Sequence, residues 1–324
     1  MRIHLDPGSP VLVRSTNWLG DAIMTLPAVE SLVQSGLRVS ILCAPNLMPF
    51  WRRVGGIEHV YLCDENPYIT ADGIPKEHFQ AAIIFPNSLR SALEVFLAGI
   101  PKRIGYRGHQ RRWLLTEVVE KPARTKWQHQ VHDYLHLVLN DYAPGTEPVL
   151  SPLTQTSRSH SDAYLIICPG AEYGPAKRWH PERFAQAADQ IVKTRPMKVV
   201  LLGSQGDANS CQAVANAMET NCLNLAGKTT MDEFIDWIAS AQLALCNDSG
   251  SMHLAAAFHT PTVAIFGSTE PRLTGPLSPS VNVLRHQVAC SPCFLRDCPI
   301  DFRCMDSVTV DDVVTSAKAL LLSS

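Results

Sequence analysis

Short apolar runs rich in β-branched residues recur along the chain at residues 11–14, 39–43, 82–85, 164–168, 198–202, 243–246 and 262–266. The stretches between them carry helical spacing, and strands alternating with helices predict parallel sheets covered by helices. Runs such as YLIIC and KVVLL are apolar on both faces, as central strands of a doubly covered sheet must be. The strands fall into two series. Between them, residues 140–163 are rich in Pro, Ser and Thr and lack apolar periodicity, the composition of a linker. At 310–321, Val313, Val314, Ala317, Leu320 and Leu321 have the spacing of a helix with one buried face. Nothing repeats at a solenoid period. Two α/β domains in tandem place a cleft between the carboxyl ends of their sheets, where open sheets bind ligands. The loops after the strands are therefore where chemistry is to be sought.

Composition narrows the class. The chain has 324 residues, 46% of them hydrophobic and 18% charged, so it can bury two cores and is neither fibrous nor disordered. Its formal charge of −2 gives no global attraction to nucleic acid. The N-terminus lacks a signal-peptide layout and no run approaches a membrane span, which points to a cytoplasmic protein. Of ten cysteines, Cys43, Cys63, Cys168, Cys211, Cys222 and Cys246 lie singly in or near apolar runs and read as reduced core residues.

Four loops stand out. After the first strand, Ser15 to Asp21 reads STNWLGD and opens a helix, so backbone amides can face an anion there. Asp21 is placed for general-base work, and it fits an ordinary N-cap as well. Pro27 implies a break in the helical pattern that follows. After 164–168 the stretch PGAEYGPAKRW delays the next helix and ends in Lys177 and Arg178, cations suited to phosphate but equally to a solvated surface. GSQGD follows with Asp207, which reads either as a ligand of ribose hydroxyls or as a helix cap. NDSGSMH then sets Asp248, Ser249, Gly250 and His253 before an Ala-rich helix, where capping with a surface histidine is the plain alternative. Gly, a carboxylate and a cation recurring at successive strand ends suit one sugar diphosphate better than independent caps.

NWLGDAIMTLPAV, PGAEYGPAKRWHPERFA, GSQGD, NLAGKTTMDEF and NDSGSMHLAAAFHTPTVAIFGSTEP, in this order over most of the chain, resemble glycosyltransferase family 9, the ADP-heptose:lipopolysaccharide heptosyltransferases. PGAEYGPAKRW is most similar to the branch that extends the first heptose of the inner core. The resemblance implies an α/β, GT-B fold of two facing Rossmann-like domains with a central cleft. Residues 1–155 would bind the acceptor and 156–308 the sugar nucleotide, and 309–324 would form a helix crossing back to the first domain. It implies inverting transfer of L-glycero-D-manno-heptose from ADP-heptose to heptosyl-Kdo2-lipid A, with Asp21 as base and Lys177 stabilising the ADP leaving group. Donor contacts carried over at the β-strand ends are Gly170, Ala171, Glu172 and Asp207. Thr229 and Met231 come from NLAGKTTMDEF, and Asp248, Ser249, Gly250 and His253 from the last loop. No cofactor is implied for catalysis, and the chain offers no D-x-D near these loops.

Between residues 87 and 130 nine basic residues face three acidic ones, an excess of six positive charges in a chain of net −2. A solvated basic face fits this run, but with Trp113 and Trp127 among the charges the segment is expected to meet an anionic acceptor at the inner face of the cytoplasmic membrane, peripherally and with no role for nucleic acid. Asn17, Trp18, Gly20, Arg90, Arg103, Arg107 and Arg111 are the acceptor candidates. Finally, Cys290, Cys293, Cys298 and Cys304 are spaced C-x2-C-x4-C-x5-C. Four thiolates can hold a structural zinc or an iron–sulfur cluster, and reduced loop thiols or a disulfide fit the same spacing. Two other functions share these features: a GT-B epimerase or transferase of another nucleotide sugar, and a nonenzymatic module built on the cysteine segment.

Overall fold

The computed structural model describes residues 5–123, 125–140, 142–145, 147–153 and 162–323. The chain divides into two compact units, Met1–Pro148 and Val149–Ser324. The boundary expected at 155 lies outside the described residues, as does Arg124 of the basic segment.

The first unit is a six-stranded parallel sheet of β1 (Pro10–Arg14), β2 (Arg38–Cys43), β3 (Ile57–Leu62), β4 (Ala81–Ile84), β5 (Lys102–Tyr106) and β6 (Glu117–Val119). Its order is β3-β2-β1-β4-β5-β6. β1 is central because Val11, Leu12 and Val13 are apolar in succession and all fully buried, so both faces are covered. Leu12, Leu42, Ala82 and Ile84 share one face with Ala92 and Val95 of the helix Leu89–Leu97. Pro27 breaks the helical pattern as its ring demands: one helix ends at Met24 and the next starts at Leu26 with the proline in its first turn.

The second unit repeats this topology with β7 (Tyr164–Cys168), β8 (Lys198–Leu201), β9 (Cys222–Asn224), β10 (Leu243–Asn247), β11 (Thr262–Ile265) and β12 (Val281–Leu284), in the order β12-β11-β10-β7-β8-β9. Leu165, Ile167, Leu243, Leu245, Val263 and Ile265 pack on Phe184 and Ile191 of the helix Pro181–Thr194. In each sheet the order reverses beside the first strand, between β1 and β4 and between β7 and β10, which creates a crevice at the strand ends.

The helix Val310–Ser323 packs on the helix Pro181–Thr194 and on β10, β11 and β12. Its apolar face, Val313, Val314, Ala317, Leu320 and Leu321, joins the core of the second unit. The approach is fastened at its start, where Trp179 Nε1 donates to Val308 O at 3.0 Å and His180 pairs with Asp306 at 2.7 Å. Among the described residues no helix is long and apolar enough to cross a membrane.

Candidate active site

In the first unit, the loop after β1 is pinned by a buried ion pair. Arg14, the last residue of β1, is 3% exposed and donates Nε to Glu94 Oε2 at 2.7 Å, while Glu94 is fully buried. Arg14 Nη1 also reaches Asn17 Oδ1 at 3.0 Å, and Trp51 Nε1 bonds Ser15 Oγ at 3.1 Å. Burying a carboxylate is tolerable here because two guanidiniums share it: Arg90 Nε donates to Glu94 Oε1 at 3.1 Å. Arg14, Asn17, Ser88 and Arg90 line a cavity of about 400 Å³ together with Asp64 and Glu65. Asn17 and Trp18 are exposed, and Gly20 is half-buried on the helix Leu19–Met24. Asp21 is not the N-cap of that helix. Trp18 occupies the cap position and Asp21 lies in the first turn, half-buried.

The four candidate arginines separate into two kinds. Arg111 is fully buried, donating Nη2 to Tyr106 O at 2.7 Å, Nε to the same oxygen at 3.1 Å, and Nη1 to Pro86 O. Burial lowers it to about 10, so it stays charged at neutral pH. Arg103 spends its donors on Leu114 O at 2.7 Å and Ile100 O at 2.5 Å, over the ring of Phe96. Arg111 thus holds loops of the first unit together, while Arg103 is half-buried with Nε and Nη1 on carbonyls. Arg90 and Arg107 are exposed in part, the latter paired with Glu120 at 2.7 Å.

In the second unit, three loops converge where the strand order reverses. Asn247, the last residue of β10, ties two of them, donating Nδ2 to Pro169 O at 2.8 Å and accepting Trp179 N at 3.0 Å. The turn Pro175–Lys177 then delivers Lys177 Nζ to Asp248 Oδ2 at 2.6 Å, with side chains 12% and 5% exposed. Asp248 Oδ2 also accepts from Thr269 Oγ1, and the Lys177 ammonium stands 4.7 Å from the Tyr173 ring centroid. Beside this pair the helix Gly250–Ala257 opens at Ser249 with no side-chain cap, its amides directed to the strand ends. His253 is 4% exposed, a buried residue of that helix rather than a surface one.

Asp207 acts as the cap weighed for it and also packs on the loop after β7. Its carboxylate takes Ser204 N at 3.0 Å as a cap and also lies over Gly170 so closely that a Cβ there would meet Asp207 Oδ1 at 2.1 Å. Ala171 is buried and Glu172 exposed. Thr229 precedes a cap formed by Thr230 and Glu233, and Met231 begins the helix Met231–Ser240. Tyr173, Asn247 and Thr269, which lie within the quoted motifs but were not singled out, brace the loops of Lys177 and Asp248 through contacts with distant segments.

The ten cysteines are all free thiols, five of the six single ones buried and Cys222 partly so. Among the described residues no group of three or more His, Cys, Asp or Glu is arranged to hold a metal ion. Cys304 turns inward against Gly267, while Cys298 Sγ accepts from Phe302 N at 3.3 Å. Burial and the neighbouring Cys290 push the Cys304 thiol up.

Two parallel six-stranded sheets of one topology, with anion-type loops at a switch point, define an α/β protein of the GT-B kind. Residues 71–302 match the model of glycosyltransferase family 9 (heptosyltransferase), and the chain belongs to that family. It is 36% identical over 233 residues to lipopolysaccharide heptosyltransferase 2 of Escherichia coli K12, an alignment covering 65% of this chain and 66% of that relative, just under two thirds of its length. It is 31% identical to lipooligosaccharide heptosyltransferase 2 of Campylobacter jejuni serotype O:2, across 97% of this chain and 99% of the relative. The structure of E. coli ADP-heptose LPS heptosyltransferase II superposes with a TM-score of 0.80 at 28% identity, covering 97% of this chain and 99% of that one.

Proposed function

We propose that this protein transfers L-glycero-D-manno-heptose from ADP-heptose to the first heptose of the lipopolysaccharide inner core, with heptosyl-Kdo2-lipid A as acceptor. The observation that carries the reading is the Lys177–Asp248 contact of 2.6 Å at the reversal point of the second sheet, beside the opening of the helix Gly250–Ala257. A buried ammonium and a row of backbone amides together suit a diphosphate. The Asp248 carboxylate neutralises Lys177 in the unliganded protein, and a diphosphate of higher charge draws the ammonium toward the departing ADP oxygen. Asp207 takes the ribose hydroxyls above Gly170, and Thr229 and Met231 lie toward the adenosine.

Asp21 removes the proton from the acceptor hydroxyl as that oxygen attacks the anomeric carbon, in one inverting displacement. The C–O bond to the new acceptor forms as the C–O bond to ADP breaks. No redox group takes part, and Lys177 with the backbone amides supplies the positive charge. Asn17, Trp18 and Gly20 hold the acceptor sugar, and Arg90 and Arg107 meet its anionic groups. The exposed part of the basic segment, with Trp113, supports peripheral contact with the cytoplasmic face of the membrane.

Purified protein given ADP-heptose and heptosyl-Kdo2-lipid A is expected to release ADP and to yield an acceptor heavier by one heptose in mass spectrometry. Asp21→Ala is expected to lower turnover by about 10²–10⁴ with ADP affinity unchanged. No ADP release by the wild type sinks the reading, and an active Asp21→Ala removes Asp21 from the role of base.

A further inference from the structure

The loop that carries Lys177 has little regular structure of its own, a single turn at Pro175–Lys177. What fixes it is a second irregular stretch, the residues between Cys293 and Cys298. Arg296 Nε donates to Tyr173 O at 2.6 Å, and Ala176 N donates to Arg296 O at 3.0 Å. The Tyr173 hydroxyl donates to Phe294 O, so both ends of the tyrosine are held by the same three residues. Gly174 sits at φ +150°, and a Cβ there would come 2.5 Å from Arg296 O. Only glycine lets the two backbones run this close.

The holding stretch is itself anchored beside Asp248. Cys293 N and Phe294 N both donate to Ser268 O, at 3.1 and 2.9 Å, and the next residue, Thr269, bonds the Asp248 carboxylate. Ser291 Oγ fastens the chain once more to Gly267 O. Lys177 is thus located by two supports, the Tyr173 ring and Asp248, and residues 291–296 touch the bearings of both. The Tyr173 ring lies 4.7 Å from the Lys177 ammonium and 5.9 Å from the Arg296 guanidinium carbon. A ring face attracts cations, so its placement by Arg296 decides where the ammonium is most stable.

We infer that Arg296 is a positioning residue for Lys177, acting through Tyr173, and that the cysteine-bearing segment serves the nucleotide site as its brace. The inference rests on the assignment of Lys177 to the nucleotide diphosphate. Arg296 is exposed, so its substitution removes the side-chain bond to Tyr173 O and the cation beside the Tyr173 ring without opening the core, while the backbone contacts remain.

The test is a double-mutant cycle read by calorimetric titration of the full chain with ADP. Arg296→Ala is expected to weaken ADP about fivefold and Lys177→Ala about tenfold or more. The double variant should bind no more weakly than Lys177→Ala alone, because Arg296 has nothing left to position. Tyr173→Leu, which removes the ring but not the chain, should show the same loss of effect when Lys177 is absent. A general loss of stability would instead add to the Lys177 effect. Additive losses, or ADP affinity unaltered by Arg296→Ala, overturn the inference while leaving Lys177 at the diphosphate. An unaltered affinity in Lys177→Ala overturns both.

Discussion

Arg111→Met separates a folding role from an acceptor role at a residue that sequence reading assigned to the acceptor. Methionine keeps the aliphatic stem and removes every donor. Tyr106 O loses two hydrogen bonds and Pro86 O one, all from a cation in a fully buried position. Charge-assisted bonds of this kind contribute about 1.5–3 kcal/mol each, so three are worth roughly 4–9 kcal/mol if additive. Against this stands the burial of the charge, which lowers the guanidinium from 12.5 to about 10 and which the methionine variant is spared. That relief is roughly 3 kcal/mol. The net destabilisation is therefore about 3 kcal/mol, and at 2–4 °C per kcal/mol for a unit of this size the melting temperature should fall by roughly 10 °C. The assay is differential scanning calorimetry, paired with acceptor KM measured well below both melts. A melt within about 2 °C of wild type together with a tenfold higher acceptor KM refutes the reasoning and returns Arg111 to the acceptor.

Gly170→Ala puts a Cβ 2.1 Å from Asp207 Oδ1, so the carboxylate must leave its bonds to Ser204. ADP affinity is expected to fall about tenfold in calorimetric titration, and binding equal to wild type removes Asp207 from the nucleotide. Glu270→Gln tests a buried ion cluster, in which a carboxylate 3% exposed accepts from Arg272 at 2.8 Å and Arg285 at 3.0 Å. The Arg272 hydrogen bond holds Glu270 below its ordinary 4.5. A depressed pKa gives stability that is present above the unfolded value and lost as pH falls through the folded one. The unfolding free energy of Glu270→Gln from urea titration should therefore lie below wild type at pH 7, by about 1–3 kcal/mol, with the gap closing only below pH 4.5. A gap that persists undiminished at about pH 3 refutes the assignment.

What was legible in the sequence follows from burial. β1, β2, β4, β7, β8, β10 and β11 stand out because strands buried on both faces are continuous apolar runs. β3, β6, β9 and β12 were missed, and each is an edge of its sheet, short or half exposed, so its apolar pattern is broken. β5 was hidden by the charges of Lys102 and Arg103 at its start. The loops with Asp21, Lys177 and Asp248 were legible because Gly, Pro and a charge after a buried strand make a recognisable pattern. The surroundings of Arg111 were not legible because a basic residue in a basic run looks the same whether its donors meet carbonyls or water. The four cysteines were ambiguous for a related reason: spacing along a chain does not fix where each thiol turns. The terminal helix showed its apolar face plainly, but periodicity does not say which sheet that face meets.

The placement of the helix Val310–Ser323 bears on how the protein is made. The first unit has all its residues by position 148, so its sheet can close while synthesis continues. The second cannot complete its core until Val313, Ala317 and Leu320 have been added, more than a hundred residues after β7. At 5–20 residues per second the roughly 150 residues from the end of β7 to Leu320 take about 8–30 s, during which the second core lacks its last helix. A ribosome that stops before that point leaves a nascent chain with a finished first half and a second half whose core lacks one covering helix.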